Sequence, residues 1–158
     1  LESTSSAAGY MYPSQWLTEN FKHSIRDLKN TVTMDSYDSA MAQLASGQID
    51  VMPEYADARM DDAAKWTTTF GAKESIWDDT NVIGVTPAIA NDGIMVSEKS
   101  KIMTADFKKA LSAAIKDMAK TDEGKKVIAI YSHDGYVDST KADYKTAIKV
   151  ANSMSKAN

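Results

Sequence analysis

Apolar residues recur at helical spacing in several stretches of the chain. The clearest stretch is Ser36–Gly47, where apolar residues repeat every three or four positions and Gly47 suits a left-handed C-cap. Another helix is predicted with Pro13 in its first turn, and a further one from Pro53 to about Trp66. Three more are predicted, each beginning at a threonine that can cap it: Thr104, Thr121 and Thr140.

Short apolar runs between the earlier helices indicate β-strands. Four are predicted, at Thr31–Met34, Ile49–Met52, Val82–Val85 and Gly93–Val96. Strands alternate with helices up to about residue 97 and only helices follow, so the pattern predicts an α/β sheet with a helical tail. Four short strands make a thin sheet for so many helices, and we expect further sequence to complete it.

Composition narrows the class of protein. The chain has 158 residues, 43% of them hydrophobic and 25% charged, which is typical of one globular domain or slightly more. The net charge is −4 and no basic stripe is present, which argues against nucleic acid as a partner. No apolar run approaches the ~18 residues of a membrane span. Leu1 follows no signal peptide, as expected of a mature or trimmed chain.

The sequence offers little for catalysis or metal binding. It has no cysteine, and His23 and His133 both lie in polar surroundings where a solvated side chain is expected. Glu54, Asp57 and Asp61 would share one helical face, which is more simply a solvated face than an acid–base site. With no histidine beside them and no EF-hand pattern, we expect no metal, no cofactor and no enzyme activity.

The run of hydroxyl residues at Ser3–Ser6 is the sharpest chemical feature. A helix N-terminus offers unpaired N–H groups and a positive dipole end, and hydroxyls add neutral donors. Together they can hold a tetrahedral oxyanion. Taken alone, the run is more simply explained by a plain N-cap in a mobile terminus. It is no Walker loop, because GxxxxGK[ST] is absent.

Three further residues lie where ligands gather in α/β proteins. Tyr37 and Tyr55 each stand near the start of a predicted helix close to a strand end, where an aromatic ring either walls a cleft or belongs to the core. Asp92 lies between two predicted strands, and a turn residue is its simplest interpretation. If the Asp92 carboxylate faces an anion-binding site, the ligand must carry a proton or an amino group to interact with it.

Several motifs follow one another in a recognisable order and spacing. They are the Ser-Thr-Ser and Gly-aromatic-x-x-Pro elements of Ser3–Pro13, the helix, glycine and short strand of Ala40–Val51, the Tyr-x-Asp-Ala-Arg of Tyr55–Arg59, the Pro-x-Ile-x-Asn-Asp of Pro87–Asp92, and the tail Asp122–Val137. In these motifs the chain resembles the phosphate/phosphite/phosphonate-type substrate-binding proteins of ABC importers.

The resemblance implies a fold, a function and partners. The fold would be type II periplasmic binding protein-like, with residues 1–92 forming the second lobe and residues 93–158 the crossover strand and the C-terminal helices that return to the first lobe. The N-terminal part of the first lobe would lie outside this sequence. The protein would bind phosphonate, phosphite or phosphate outside the cytoplasm, in the periplasm or at the cell surface as a lipoprotein. Its partners would be the permease subunits and the missing lobe.

The resemblance also implies ligand-binding residues. The oxyanion-binding element falls on Ser3, Thr4, Ser5 and Ser6. Tyr37 stands where some members place a ligand-contacting histidine, and Tyr55 opens the tyrosine motif. Asp57 and Asp92 match acidic positions that face the ligand's protonated or amino end. Two departures are the insertion of Ala7 and Ala8 before Gly9, and Ala90 in place of the crossover proline.

Two other functions compete with transport. One is a ligand-sensing domain of a cytoplasmic regulator with the same two-lobed fold, which an export signal or a helix-turn-helix in preceding sequence would distinguish. The other is a small enzyme on the same scaffold, which would need a nucleophile, a base or a metal cluster that the sequence does not offer.

Overall fold

The computed structural model of the chain describes residues 1–156, and the chain separates into two compact units. The first unit contains Leu1–Ala90 and the residues from Tyr144 onward, and the second contains Asn91–Asp143. The assignment of residues 1–92 and 93–158 to two lobes stays a prediction. None of the helices within residues 1–156 has the length and apolar character needed to cross a bilayer.

Helices and helical turns account for the regular structure. In chain order they are a π-helical turn Ala7–Met11, α1 Tyr12–Phe21, a 3₁₀ turn Ile25–Asp27, α2 Tyr37–Ala45, α3 Ala58–Asp61, α4 Ala63–Thr68, α5 Ile76–Asp79, α6 Ala105–Met118, α7 Asp122–Ile128, a 3₁₀ turn Ala129–Tyr131 and α8 Lys145–Lys156.

Local capping explains where most of these helices begin. The Ser36 hydroxyl accepts from the Ser39 N–H at 3.2 Å, and Thr104 and Thr121 cap α6 and α7 in the same way. Gly47 follows α2 with a φ of 73°, which glycine adopts at no steric cost. The predicted helices at these positions are therefore confirmed, as is the helix around Pro13.

The helix predicted over residues 53–66 is wrong in its extent. Residues 53–57 are not helical, and the remainder divides into α3 and α4 at Asp62, whose φ of −97° and ψ of 3° lie outside the helical region. The Asp62 carbonyl accepts from the Trp66 N–H at 2.9 Å, so this residue ends one helix and begins the next. Apolar periodicity does not detect this break, because each helix places an apolar residue in the core, Ala58 in α3 and Trp66 in α4.

The prediction of an α/β, type II periplasmic binding protein-like fold is contradicted. No residue among 1–156 is in a β-strand, and all four predicted strands are non-helical segments that form no sheet. A strand requires a neighbour to pair its N–H and C=O groups, and the described residues supply none long enough. Only Leu1 pairs with Val32 and Met34, through two backbone hydrogen bonds of 2.8 Å each. The described chain is helical.

A compact core stabilises the first unit. Trp66, Met41, Ala58 and Ile76 are at most 3% exposed and pack together, so α2, α3, α4 and α5 meet at one point. The Trp66 Nε1–H donates to Asp79 Oδ2 at 3.0 Å, which satisfies the only polar atom of the indole. This core fixes the start of α2 and the segment that leads into α3.

The second unit buries much less. No residue of α6 is buried, and Phe107 in its first turn is 46% exposed. Within Asn91–Asp143 the structure shows one buried apolar side chain, that of Ile128 in α7.

Candidate functional site

The hydroxyl run does not lie directly at the start of α1. It precedes the π-helical turn Ala7–Met11, and only Ser6 caps that turn, its Oγ accepting from the Gly9 N–H at 3.0 Å. The Ser6 carbonyl accepts from the N–H groups of Tyr10 and Met11, at 3.2 and 2.9 Å. Ser6 is therefore held by three hydrogen bonds at a fixed place in the first unit.

The rest of the run forms an exposed turn before Ser6. Ser3, Thr4 and Ser5 are all exposed, and the Ser3 and Ser5 hydroxyls lie 3.1 Å apart. The Ser6 N–H donates to the Ser3 carbonyl at 2.9 Å, which closes the turn. These three hydroxyls are accessible to solvent.

Ser6 contacts Tyr37, and Tyr37 contacts Tyr55, the two tyrosines that the sequence singles out. The Ser6 and Tyr37 hydroxyls share a hydrogen bond of 3.1 Å, and the rings of Tyr37 and Tyr55 meet edge to face with centroids 5.6 Å apart. We call Ser6, Tyr37 and Tyr55 the serine–tyrosine cluster. Residues far apart in the sequence thus come together, as an aromatic-walled cleft requires.

The protonation of Tyr55 keeps this cluster uncharged. Its hydroxyl donates to Asp61 Oδ2 at 3.0 Å. Burial, followed by this hydrogen bond, raises the pKa of Tyr55 to about 12. The phenol therefore stays protonated at neutral pH.

The two predicted acidic ligand residues do not join the cluster through any hydrogen bond. Asp57 is exposed at the N-cap of α3 and makes no side-chain cap bond. Asp92 is exposed and belongs to the second unit, in a stretch without regular structure. Of the predicted site residues, the structure brings together Ser6, Tyr37 and Tyr55, with Ser3, Thr4 and Ser5 in the adjoining turn.

Two carboxylates near the cluster were not predicted as site residues. Burial is the main cause that raises the pKa of Glu54 to about 7. A backbone hydrogen bond from Tyr55 opposes this rise, and the negative charges of Glu2, Asp62 and Asp38 add to it. One oxygen of Glu2 and one of Glu54 are buried without a hydrogen-bond partner among the described residues. The one sequence signal was that Glu54 directly follows the apolar run Val51–Pro53.

The histidines do not contribute to this site. His23 is exposed and lies 3.9 Å from the Asp27 carboxylate, and His133 Nδ1 lies 3.2 Å from the Tyr136 hydroxyl in the second unit. Across the part of the chain that the structure describes, no group of three or more histidine, cysteine or acidic side chains is arranged to hold a metal ion.

Comparison with known proteins gives one match. Residues 1–144 match the model of the family described as ABC transporter, phosphonate, periplasmic substrate-binding protein. No curated protein and no solved structure matches the chain. The matched stretch includes the whole serine–tyrosine cluster and covers most of the chain. A family of this description binds a small molecule outside the cytoplasm and works with a transporter. The chain therefore belongs to the family of phosphonate-binding periplasmic substrate-binding proteins of ABC transporters.

Proposed function

We propose that this protein binds a small oxyanion, namely phosphonate, phosphite or phosphate, at the serine–tyrosine cluster and delivers it to the permease subunits of an ABC importer. The observation that carries the proposal is the 3.1 Å hydrogen bond between the Ser6 and Tyr37 hydroxyls. It joins the oxyanion-binding element that the sequence suggests to an aromatic pair that can wall a cleft.

The chemistry of these groups suits an anion. The Ser6 and Tyr37 hydroxyls are hydrogen-bonded to each other. An oxyanion can take the place of that bond and accept a hydrogen bond from each, and hydrogen bonds to a charged acceptor are roughly twice as strong as neutral ones. Ser3, Thr4 and Ser5 lie in the adjoining exposed turn and supply further neutral donors.

The proposed role also covers partners and location. The protein would bind its ligand without converting it, in the periplasm or at the cell surface as a lipoprotein. Tyr55 is 38% exposed, so one side of the cluster faces solvent. A further lobe, formed by sequence outside this chain, would cover that side. Asp57 would face a protonated or amino end of the ligand.

Calorimetry on hydroxyl variants tests the proposal. We expect the protein to bind methylphosphonate, phosphite or phosphate, and the triple variant Ser3→Ala, Thr4→Ala, Ser5→Ala to lose about tenfold or more in affinity. Ser6→Ala and Tyr37→Phe should each lose about tenfold as well, since each removes one charge-assisted donor while the Tyr37 ring stays in place.

A matched control separates the site from a general effect of losing a hydroxyl. Tyr131→Phe removes a phenol that is 71% exposed in the second unit, and it should bind as the unmodified protein does. Equal affinities for the unmodified protein, Ser6→Ala and Tyr37→Phe would reject the assignment of the site. Binding of none of the three anions would reject the proposed function.

A further inference from the structure

Two acidic side chains lie beside the serine–tyrosine cluster: Glu2 next to the turn that Ser6 caps, and Glu54 next to Tyr55. The Glu2 N–H donates to the Gly9 carbonyl at 3.3 Å, and Gly9 in turn donates to Ser6. The Glu2 side chain lies so close to Gly9 that a Cβ there would collide with it. Glu2 is therefore held against the turn that Ser6 caps.

Glu54 is held on the tyrosine side. Its Oε1 accepts from the Tyr55 N–H at 3.2 Å, and Tyr55 packs edge to face on Tyr37. The other oxygen, Oε2, is buried with no partner among the described residues, as is Oε1 of Glu2. A buried carboxylate oxygen without a donor is costly when charged, so burial favours the protonated form of Glu54.

The charges around Glu54 favour the same outcome. Negative charge reaches it from Glu2, from Asp38 on α2 and from Asp62 between α3 and α4. Lys65 forms ion pairs with Asp62 at 3.0 Å and with Asp38 at 3.2 Å, so the charges of these two aspartates already offset its own. Asp61 is occupied by the Tyr55 hydroxyl at 3.0 Å.

We propose that Glu54 is a proton switch for this binding site: with a proton it leaves the serine–tyrosine cluster open to an anion, and without one its charge, added to that of Glu2, repels the anion. This inference rests on the proposed function. The pKa of Glu54, raised to about 7, puts the change at neutral pH. The proton comes from solvent, so anion binding above this pH takes up one proton at the Glu54 carboxylate.

Affinity measured against pH tests the switch. Methylphosphonate is titrated calorimetrically into the unmodified protein, Glu54→Gln and the control Glu19→Gln, from about pH 5.5 to about pH 8.5. The ligand's own ionisation is the same for all three proteins, so the ratio of their affinities isolates Glu54. Over this pH range the affinity for methylphosphonate should fall about tenfold more in the unmodified protein and in Glu19→Gln than in Glu54→Gln.

An NMR titration without ligand provides a second readout. The Glu54 carboxyl carbon should titrate near pH 7 in the unmodified protein, and at a lower pH in Glu2→Gln, because that variant removes one neighbouring negative charge. This measurement requires no binding at all and also shows that each variant is folded.

The outcomes separate the switch from the function. A midpoint near pH 4.5 in the NMR titration of Glu54 overturns the switch, and so does the same pH profile of affinity for Glu54→Gln and the unmodified protein. In either case, binding of methylphosphonate still supports the site. Failure of all three proteins to bind methylphosphonate, phosphite or phosphate at any pH overturns both. A midpoint near 7 together with a flattened profile in Glu54→Gln supports the switch.

Discussion

The two units of this chain are stabilised internally by different interactions. In the first unit α3, α4 and α5 have four to six residues each, too few to be stable alone, and the buried Trp66 cluster holds them. In the second unit α6 has 14 residues and a threonine cap, yet buries no residue. The first unit depends on packing and the second on local helix signals. The candidate site lies in the unit with the packed core.

Removing the central side chain of the first unit should have the largest effect. Trp66→Ala deletes a side chain that is 1% exposed, together with the hydrogen bond from its indole to Asp79. We expect a loss of about 3–5 kcal/mol in the free energy of unfolding, measured by urea denaturation. Phe107→Ala in α6, at a side chain 46% exposed, should cost far less. Equal losses would contradict the difference between the units.

A matched pair of isoleucines tests the small core of the second unit. Ile128 is 2% exposed and Ile130 is 77% exposed, although they are two residues apart. Ile128→Ala should cost about 2–4 kcal/mol, and Ile130→Ala should stay within about 0.5 kcal/mol of the unmodified protein. Amide hydrogen exchange across α6 and α7 measures the loss of stability in each variant. Comparable protection in the two variants would show that α7 packs through a different face.

The pH dependence of stability sharpens the comparison on the first unit. The pKa of Glu54 rises from 4.5 to about 7 on folding, so between these values the folded state binds more protons than the unfolded one. The free energy of unfolding therefore falls as pH rises through this window. Glu54→Gln removes that fall, so it should melt a few degrees above the unmodified protein near pH 8 and equally near pH 4. Equal melting temperatures at both pH values would contradict a buried Glu54.

The smallest effect is expected at a surface ion pair of the second unit. Lys116 Nζ lies 2.9 Å from Asp138, whose carboxylate is 80% exposed, and the hydrogen bond with Lys116 lowers the pKa of Asp138. Solvent and salt screen such a pair, so Asp138→Asn should leave the melting temperature unchanged at physiological ionic strength. A clear loss of stability would show that the second unit depends on its surface charges.

Helix starts could be predicted from the sequence because their causes are local. The hydroxyls of Ser36, Thr104 and Thr121 bond to N–H groups three residues ahead, which sequence spacing alone reveals. Thr140 also forms its predicted bond with Asp143, at 2.7 Å, but α8 begins only at Lys145. Buried faces were harder to predict. The helical spacing of Ala147, Ile148 and Ala151 predicts that these residues face inward, yet Val150 is the residue that is 2% exposed and Ala151 is exposed.

Strands could not be predicted reliably because pairing is not local. Val82, Ile83 and Val85 have the β-branched side chains of a strand but are 61–77% exposed and unpaired. A short apolar run specifies a strand only when a neighbour of matching register is present. The resemblance to known binding proteins identified the family correctly, while the fold inferred from it is contradicted by the structure.

The candidate site was predicted in part. Tyr37 and Tyr55 followed from helix starts, and Ser6 from the hydroxyl run, but their contact depends on the core that brings α2 and α3 together. The sequence does not identify Glu2 as a site residue, because its burial comes from packing against Gly9. Glu54 was assigned to a solvated helical face, since residues 53–57 were expected to be helical and are not.

A crystal structure of the protein bound to methylphosphonate tests the central claim most directly. The account predicts phosphonyl oxygens within hydrogen-bonding distance of the Ser6 and Tyr37 hydroxyls, with the 3.1 Å bond between those hydroxyls replaced by bonds to the ligand. Methylphosphonate bound elsewhere, with the Ser6–Tyr37 bond intact, would contradict it.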